Sequence, residues 1–270
     1  ATAIGVYAIA SDNTASSLVC GFRAGEIPLD PGSRVWTRRA AYKAAMIKQN
    51  MTTPNALELA VPDIRVRVLH NGTDIAFHLE WAAPNKHEHD AIARFRDAIA
   101  VMLSANADAP ITMGGEGAPA HILQWKASWQ ADIDRGQQTV KDVFPNMYND
   151  SIPEQWMSAE QAKTFYPAWA VGNALAQRDK KSPIEELVAV GFGTLTTHKE
   201  QEATGRGVHG SGRWRVVIRR PMKPTGTNKA AVAPGETRNV AFAVWVGDKG
   251  QRGARKQYAT WVEMPIEAQG

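Results

Sequence analysis

The sequence predicts a mainly β protein, either a sandwich or a barrel. Several segments alternate apolar and polar residues, which is typical of strands with one buried face. Turns rich in glycine and proline separate these short segments, as in all-β domains. Over 270 residues, 44% are hydrophobic and 21% are charged. This composition supports a large core and excludes global disorder, a collagen and a coiled coil.

The clearest predicted elements form a hairpin over 64–69 and 74–81. Asn71-Gly72 lies between the two segments, and this pair favours the positive φ angles of a tight turn. The other strands are predicted at 98–103, 119–129, 213–220, 240–246 and 257–264. The last two flank a long polar loop. Residues 91–100 are also compatible with a helix.

Residues 131–206 differ from the rest and are interpreted as an excursion from a single domain spanning 1–270. Ser158 is predicted to cap a short helix over 158–162. The aromatic density of the excursion suits an obligate subunit interface, or else completes the domain core. The large side chains concerned are Phe144, Met147, Tyr148, Trp156, Phe165, Tyr166 and Trp169.

Charge and cysteine content exclude several classes of protein. The formal net charge is only +4, and the basic residues are dispersed, so no nucleic-acid partner is expected. No window approaches the ~20 apolar residues of a membrane span. The single cysteine, Cys20, excludes an intramolecular disulfide and a covalent c-type haem. The start at Ala1-Thr2-Ala3 fits either a processed exported protein or a trimmed chain.

The common catalytic motifs are absent, and no active site is predicted. The chain has no GxSxG, no HExxH and no strand–GxGxxG–helix unit. His87 and His89 have the spacing of a copper or zinc pair, although an exposed polar loop is the simpler interpretation. Met113, beside Gly114 and Gly115, and Lys256, at the start of the last strand, could each be ordinary core and surface residues.

Three ordered blocks give those two residues a more specific interpretation. They are PITMGGEGAPAHILQWKASWQAD, VHGSGRWRVVIRRPM and AFAVWVGDKGQRGARKQYATWVEM. Together they resemble the haem b γ subunits of ethylbenzene dehydrogenase-like molybdenum enzymes. Related γ subunits belong to dimethylsulfide dehydrogenase, selenate reductase, chlorate reductase and steroid C25 dehydrogenase. The resemblance runs from about residue 60 to residue 265.

The resemblance implies an immunoglobulin-like β-sandwich of the DOMON type that carries one non-covalent haem b. It implies axial ligation of the iron by Lys256 and a methionine, with Met113 in the matching position and Met102 as its competitor. A thioether suits reduced iron, and a lysine binds a metal only as the neutral amine.

The resemblance also implies a non-catalytic electron-transfer subunit in the periplasm. Its expected partners are a molybdenum-cofactor α subunit, an iron–sulfur β subunit and a soluble cytochrome c or similar carrier. The alternative is a haem-free β-sandwich that binds a carbohydrate or another ligand.

Overall fold

The computed structural model describes residues 13–104, 109–146, 158–177 and 179–269. These residues form two facing β-sheets, A and B, so the predicted mainly β sandwich is confirmed. Sheet A has the order β1-β3-β5-β6-β12-β11, with β2 beside β5. Its strands are β1 Thr14–Ala15, β2 Cys20–Phe22, β3 Ala41–Ala45, β5 Asp63–His70, β6 Asp74–Ala82, β11 Thr204–Gly210 and β12 Arg213–Pro221.

Sheet B has the order β10-β9-β8-β7-β13-β14-β4, with β15 also paired to β13. Its strands are β4 Ile47–Lys48, β7 Ala98–Ser104, β8 Ala120–Lys126, β9 Ile184–Ala189, β10 Thr196–Thr197, β13 Thr237–Trp245, β14 Gln257–Tyr258 and β15 Val262–Pro265. Segment 131–206 therefore contributes two strands to this sheet as well as helices.

The helices are short. They are α1 Arg34–Thr37, α2 Ala127–Arg135, α3 Val140–Val143, α4 Ala159–Phe165 and α5 Pro167–Ala170, with 3-10 turns at Ala174–Ala176 and Gly247–Lys249. No helix among the described residues is long and apolar enough to cross a bilayer.

The main core lies between the sheets and follows from strand alternation. Ile99, Val101 and Leu103 of β7 point into it, while the alternate residues of the strand face outward. Three tryptophans, Trp81, Trp125 and Trp214, meet there with ring centroids 4.8 to 6.3 Å apart. The core strands are therefore fixed by large aromatic contacts.

The predicted hairpin is confirmed: β5 and β6 pair antiparallel around Asn71-Gly72. Gly72 has a φ of +89°, and the Asn71 side-chain oxygen accepts from the amides of Thr73 and Asp74. Side-chain and backbone preferences thus select the same tight turn.

Three predicted elements need correction. The predicted strand over 119–129 ends at Lys126, because α2 begins at Ala127. The predicted helix over 91–100 is absent: Ala91 and Arg94 form an isolated bridge and β7 starts at Ala98. The last predicted strand, 257–264, is divided between β14 and β15, which pair with different parts of β13.

The predicted cap at Ser158 is present. Its hydroxyl accepts from the Gln161 amide at 3.2 Å, and the Gln161 side chain accepts from the Ser158 amide at 2.9 Å. This reciprocal pair is a capping box. Of the excursion's aromatic residues, Phe165 is 55% exposed. Met147, Tyr148 and Trp156 lie outside the described residues.

Candidate functional site

Met113 and Lys256, which are separated by 143 residues, meet on the outer side of sheet B. The Lys256 Nζ donates to the Met113 Sδ at 3.4 Å. A turn after β7 supplies the thioether, and the residue preceding β14 supplies the amine. The two residues singled out by the sequence therefore form a direct pair.

The Met113 turn is anchored at both of its sides. Gly114 donates to the Pro110 carbonyl and Gly191 donates to the Met113 carbonyl, each at 3.0 Å. Trp261 Nε1 also donates to the Ala109 carbonyl at 3.0 Å. Met113 itself has a φ of +72°, which is rare for a residue with a side chain and persists only where surrounding contacts enforce it.

Gly114 allows this turn to lie against the sheet. Its φ is +74°, and a Cβ at this position would lie 2.7 Å from the Ala120 nitrogen and 2.8 Å from the Ala189 oxygen. Both neighbours are backbone atoms of sheet strands and cannot move aside. Glycine is therefore required here on steric grounds.

Lys256 is held by its backbone and covered by an aromatic ring. The Gln49 amide donates to its carbonyl at 3.1 Å, and the next residue, Gln257, is fully buried. The Trp245 ring centroid lies 5.5 Å from the Lys256 Nζ, and the Trp245 Nε1 donates to the Gly253 carbonyl at 2.9 Å. The amine thus projects from a fixed segment beneath an indole.

The electrostatic surroundings favour a neutral amine at Lys256. Burial lowers the pKa of Lys256 to about 8, because removing an ammonium from water penalises its charged form. Within the described part of the chain, no carboxylate forms an ion pair with it. Lys126 differs, since Glu185 opposes the effect of burial on its pKa. Lys256 can therefore be deprotonated at small cost.

An apolar floor lies beside the pair on the outer face of sheet B. Small residues dominate it, and Met102 and Met113 pack against its edge. Its buried members are Ala98, Ala100, Ala120, Ile122, Leu187, Ala189 and Trp245. The same strands place large residues on the core side, as in Ala98-Ile99-Ala100-Val101. The floor can therefore accept a flat apolar group close to the sheet backbone.

The donor set fits an iron porphyrin better than a metal held by protein ligands alone. A thioether sulfur and a neutral amine nitrogen suit a transition metal, whereas carboxylates and carbonyls suit calcium or magnesium. The described residues contain no group of three or more His, Cys, Asp or Glu side chains that could hold a metal. A pair of donors is sufficient where a porphyrin supplies the other ligands.

The remaining sequence candidates lie elsewhere or have other partners. Met102 is on the same face of sheet B as Met113, but the Lys256 amine donates to the Met113 sulfur. Lys249 is exposed and pairs with Glu58 at 3.0 Å.

The two histidines with the spacing of a metal pair have other partners. His87 Nε2 is 3.9 Å from an Asp248 oxygen, and His89 contacts the Gln138 side chain. No third metal ligand joins the two histidines among the described residues.

Sequence reasoning missed Trp245, Gly114 and the small-residue floor. The available signal was the alternation of alanine with large apolar residues in Ala98–Ser104 and again in Thr237–Trp245. Such alternation distinguishes the two faces of a strand. It does not reveal which distant segment packs against the face that carries the alanines.

The family model described as ethylbenzene dehydrogenase matches residues 33–257 of the chain. The chain belongs to this family. A related protein from Haloferax mediterranei, named "Putative respiratory nitrate reductase heme subunit ORF7", is 23% identical over 242 residues. This match covers 88% of the chain and 68% of the relative.

Two solved structures of a family 9 carbohydrate-binding module from Caldicellulosiruptor kristjanssonii are also similar. The complex with glucose has a TM-score of 0.42 at 8% identity and covers 94% of this chain and 97% of the module. The complex with cellotriose has a TM-score of 0.44 at 9% identity, with coverage of 94% and 95%.

Proposed function

We propose that this chain is a non-catalytic electron-transfer subunit that carries one non-covalent haem b. Met113 and Lys256 are the proposed axial ligands of the iron. The observation that carries the proposal is the 3.4 Å contact between a thioether and an amine that has no carboxylate partner among the described residues. The name of the haloarchaeal relative, a haem subunit, supports the same cofactor.

Each part of the site has a separate task in this proposal. Lys256 supplies a nitrogen lone pair once its proton is released, and burial has already brought its pKa to about 8. Met113 supplies a soft sulfur, which favours the reduced state of iron and raises the reduction potential. When bound, the haem supplies a reversible one-electron couple. The small-residue floor would offer an apolar surface to the macrocycle and exclude water from it.

The proposed setting is a respiratory molybdenum oxidoreductase. There, substrate chemistry belongs to an α subunit with a molybdenum cofactor, and an iron–sulfur β subunit exchanges electrons with this chain. A soluble cytochrome c or similar carrier completes the route. Membership in the ethylbenzene dehydrogenase family and the named nitrate reductase relative support this setting. The periplasm remains the predicted location.

Titration of the purified full chain with hemin tests the proposal. We expect stoichiometric uptake with the Soret band of a low-spin haem, which sharpens on addition of dithionite. Lys256→Ala should make the ferric form partly high-spin, because a strong-field nitrogen is lost. Lys249→Ala is the matched control, since this lysine of the same loop pairs with Glu58 and not with the methionine.

Failure to take up hemin would reject the haem and leave the haem-free ligand-binding sandwich. Haem uptake with identical spectra for wild type and Lys256→Ala would reject the assigned lysine while keeping the cofactor.

A further inference from the structure

The loop that carries Lys256 connects β13 to β14, and we name residues 247–256 the lysine loop. Its end is anchored by Gln49, whose side chain donates to the Ala254 carbonyl at 3.0 Å. Its start lies against the short segment 95–97, which precedes β7. The place of the amine therefore depends on a segment that contains neither of the proposed iron ligands.

Phe95, in this segment, contacts the lysine loop at two points. The Arg252 guanidinium carbon lies 4.2 Å from the centroid of the Phe95 ring, an arrangement that favours a cation–π contact. A Cβ at Gly247 would lie 2.0 Å from the Phe95 carbonyl oxygen, so glycine alone lets the loop start this close to the segment. Phe95 thus supports both the first residue and the middle of the loop.

Asp97 adds a third contact through a buried carboxylate. This residue is 1% exposed, and its two oxygens accept from three N–H groups. Oδ1 accepts from the Gly247 amide at 2.9 Å. Oδ2 accepts from the His87 amide and from Trp214 Nε1, each at 2.9 Å. Hydrogen bonds to an ionised acceptor are the stronger kind, so the carboxylate ties the start of the lysine loop firmly to β12 of the facing sheet.

We propose that Asp97 is a positioning residue, which fixes the start of the lysine loop so that Lys256 meets Met113. The inference rests on the proposed haem function, because it gives Asp97 the task of keeping an iron ligand in place. The amine is held 3.4 Å from the Met113 sulfur. A donor group that is already held in place loses less conformational freedom when it binds a ligand.

Asp97→Asn should release one of the three hydrogen bonds selectively. An asparagine side chain has one oxygen acceptor and a nitrogen that only donates. Two donors, from His87 and Trp214, face Oδ2, whereas Gly247 alone faces Oδ1. We therefore expect the oxygen of the variant to stay with the two donors. Its NH2 group then lies opposite the Gly247 N–H, and the lysine loop loses its anchor while the contacts with the core remain.

Two measurements on the full chain test the proposal. Without hemin, amides of the lysine loop should exchange with deuterium at least about fivefold faster in Asp97→Asn than in wild type, as the loss of one hydrogen bond predicts. With hemin, the ferric form of this variant should be partly high-spin. Added imidazole should also bind its iron at least about fivefold more tightly, because Lys256 competes less well for the same position.

Trp214→Phe is the matched control, since it removes another donor of the same carboxylate and leaves the Gly247 bond in place. It should lower the melting temperature, because it also shrinks a core side chain. Its haem spectrum and the exchange of its lysine loop should remain those of the wild type.

Faster loop exchange together with a high-spin fraction in Asp97→Asn, and neither in Trp214→Phe, would support the proposal. Unchanged loop exchange or a wild-type haem spectrum in Asp97→Asn, or the same changes in Trp214→Phe, would overturn it. If Asp97→Asn does not fold, Arg252→Ala, which removes an exposed side chain from Phe95, decides by the same readouts. Absence of hemin uptake by the wild type would instead reject the proposed function, and the exchange measurement would still decide whether Asp97 holds the loop.

Discussion

Lys256 lowers the stability of the haem-free chain, and its proposed function explains why a lysine occupies this position. Its amine is surrounded by a thioether and an indole, and burial has brought its pKa to about 8. A half-buried lysine without a counter-charge lowers stability, since the unfolded chain solvates the ammonium more completely. A residue chosen for stability at this position would be apolar.

Lys256→Met should therefore stabilise the haem-free chain at pH 7. The expected gain in the free energy of unfolding is on the order of 1–3 kcal/mol, since each pKa unit corresponds to about 1.4 kcal/mol. The same variant should lose the spectrum expected of the wild-type haem complex. Urea unfolding of both proteins measures the gain, and a clearly less stable variant would contradict the account.

The pH dependence of this gain has a defined sign. The folded pKa of Lys256, about 8, lies below its ordinary value of 10.5, so the unfolded chain binds more protons between these two values. Wild-type stability should therefore rise from about pH 8 to about pH 10.5 relative to Lys256→Met. The difference between the proteins should be constant below pH 8. If the difference in unfolding free energy between wild type and Lys256→Met did not change up to pH 10.5, the pKa of Lys256 would have its ordinary value.

At the residue scale, the sequence identified the pair through family resemblance and left the methionine open. Met102 and Met113 both belong to the outer side of sheet B, so strand pattern alone could not separate them. The path of the turn containing Met113 brings this methionine to the Lys256 amine, and that path depends on contacts with Ala120 and Ala189. These contacts join distant segments that no local pattern predicts.

At the scale of elements, the Met113 turn provides a matched pair of glycine substitutions. Gly114→Ala places a Cβ against two backbone atoms, whereas Gly117→Ala meets nothing within 4 Å. The φ angles are nearly equal, at +74° and +75°, so both changes cost about the same intrinsic strain. We expect Gly114→Ala to weaken hemin binding about tenfold or more, and Gly117→Ala less than about threefold. Equal effects would show that the turn does not position Met113.

Strand alternation predicted the long elements well and the transitions poorly. The hairpin β5–β6 combines a clear period of two with an Asn-Gly turn, so sequence and structure agree there. In the region 119–129, polar Gln124, Lys126 and Ser128 alternate with apolar residues, so the strand period of two continues past the point where the helix begins. The division of the last strand depends on how β13 is shared between β14 and β15, which is a tertiary property.

At the scale of the whole molecule, a buried charge network ties sheet B to the segment that follows it. Glu186 of β9 accepts from Lys229 Nζ at 2.9 Å and lies 3.1 Å from His121 Nε2 of β8. It also accepts from the amides of Glu202 and Ala203. Burial raises the pKa of Glu186, but these hydrogen bonds outweigh burial and lower the pKa to about 2.

Glu186→Gln should destabilise the chain by about 1–3 kcal/mol at pH 7, because buried Lys229 loses one of its two carboxylate partners and keeps only the more exposed Glu202 at 3.0 Å. Glu200→Gln is the control, since Glu200 is half-exposed in its pair with His198, and this change should cost less than about 1 kcal/mol. The wild-type contribution of Glu186 should be complete above about pH 4.5 and lost as the pH falls toward 2. Urea unfolding at several pH values measures both, and equal losses for the two variants would contradict the network.

The sandwich thus separates two surfaces. The outer side of sheet B carries the Met113–Lys256 pair, and segment 27–36 packs on the outer side of sheet A. The core between them contains three tryptophans in mutual contact.

Iron K-edge X-ray absorption of the hemin-loaded chain tests the proposed ligation most directly, because it reports the atoms bonded to the iron. The account predicts one sulfur among the iron ligands of the wild type and of Met102→Ala, and no sulfur in Met113→Ala. Loss of the sulfur in Met102→Ala with its retention in Met113→Ala, or its absence from the wild type, would contradict the assigned site.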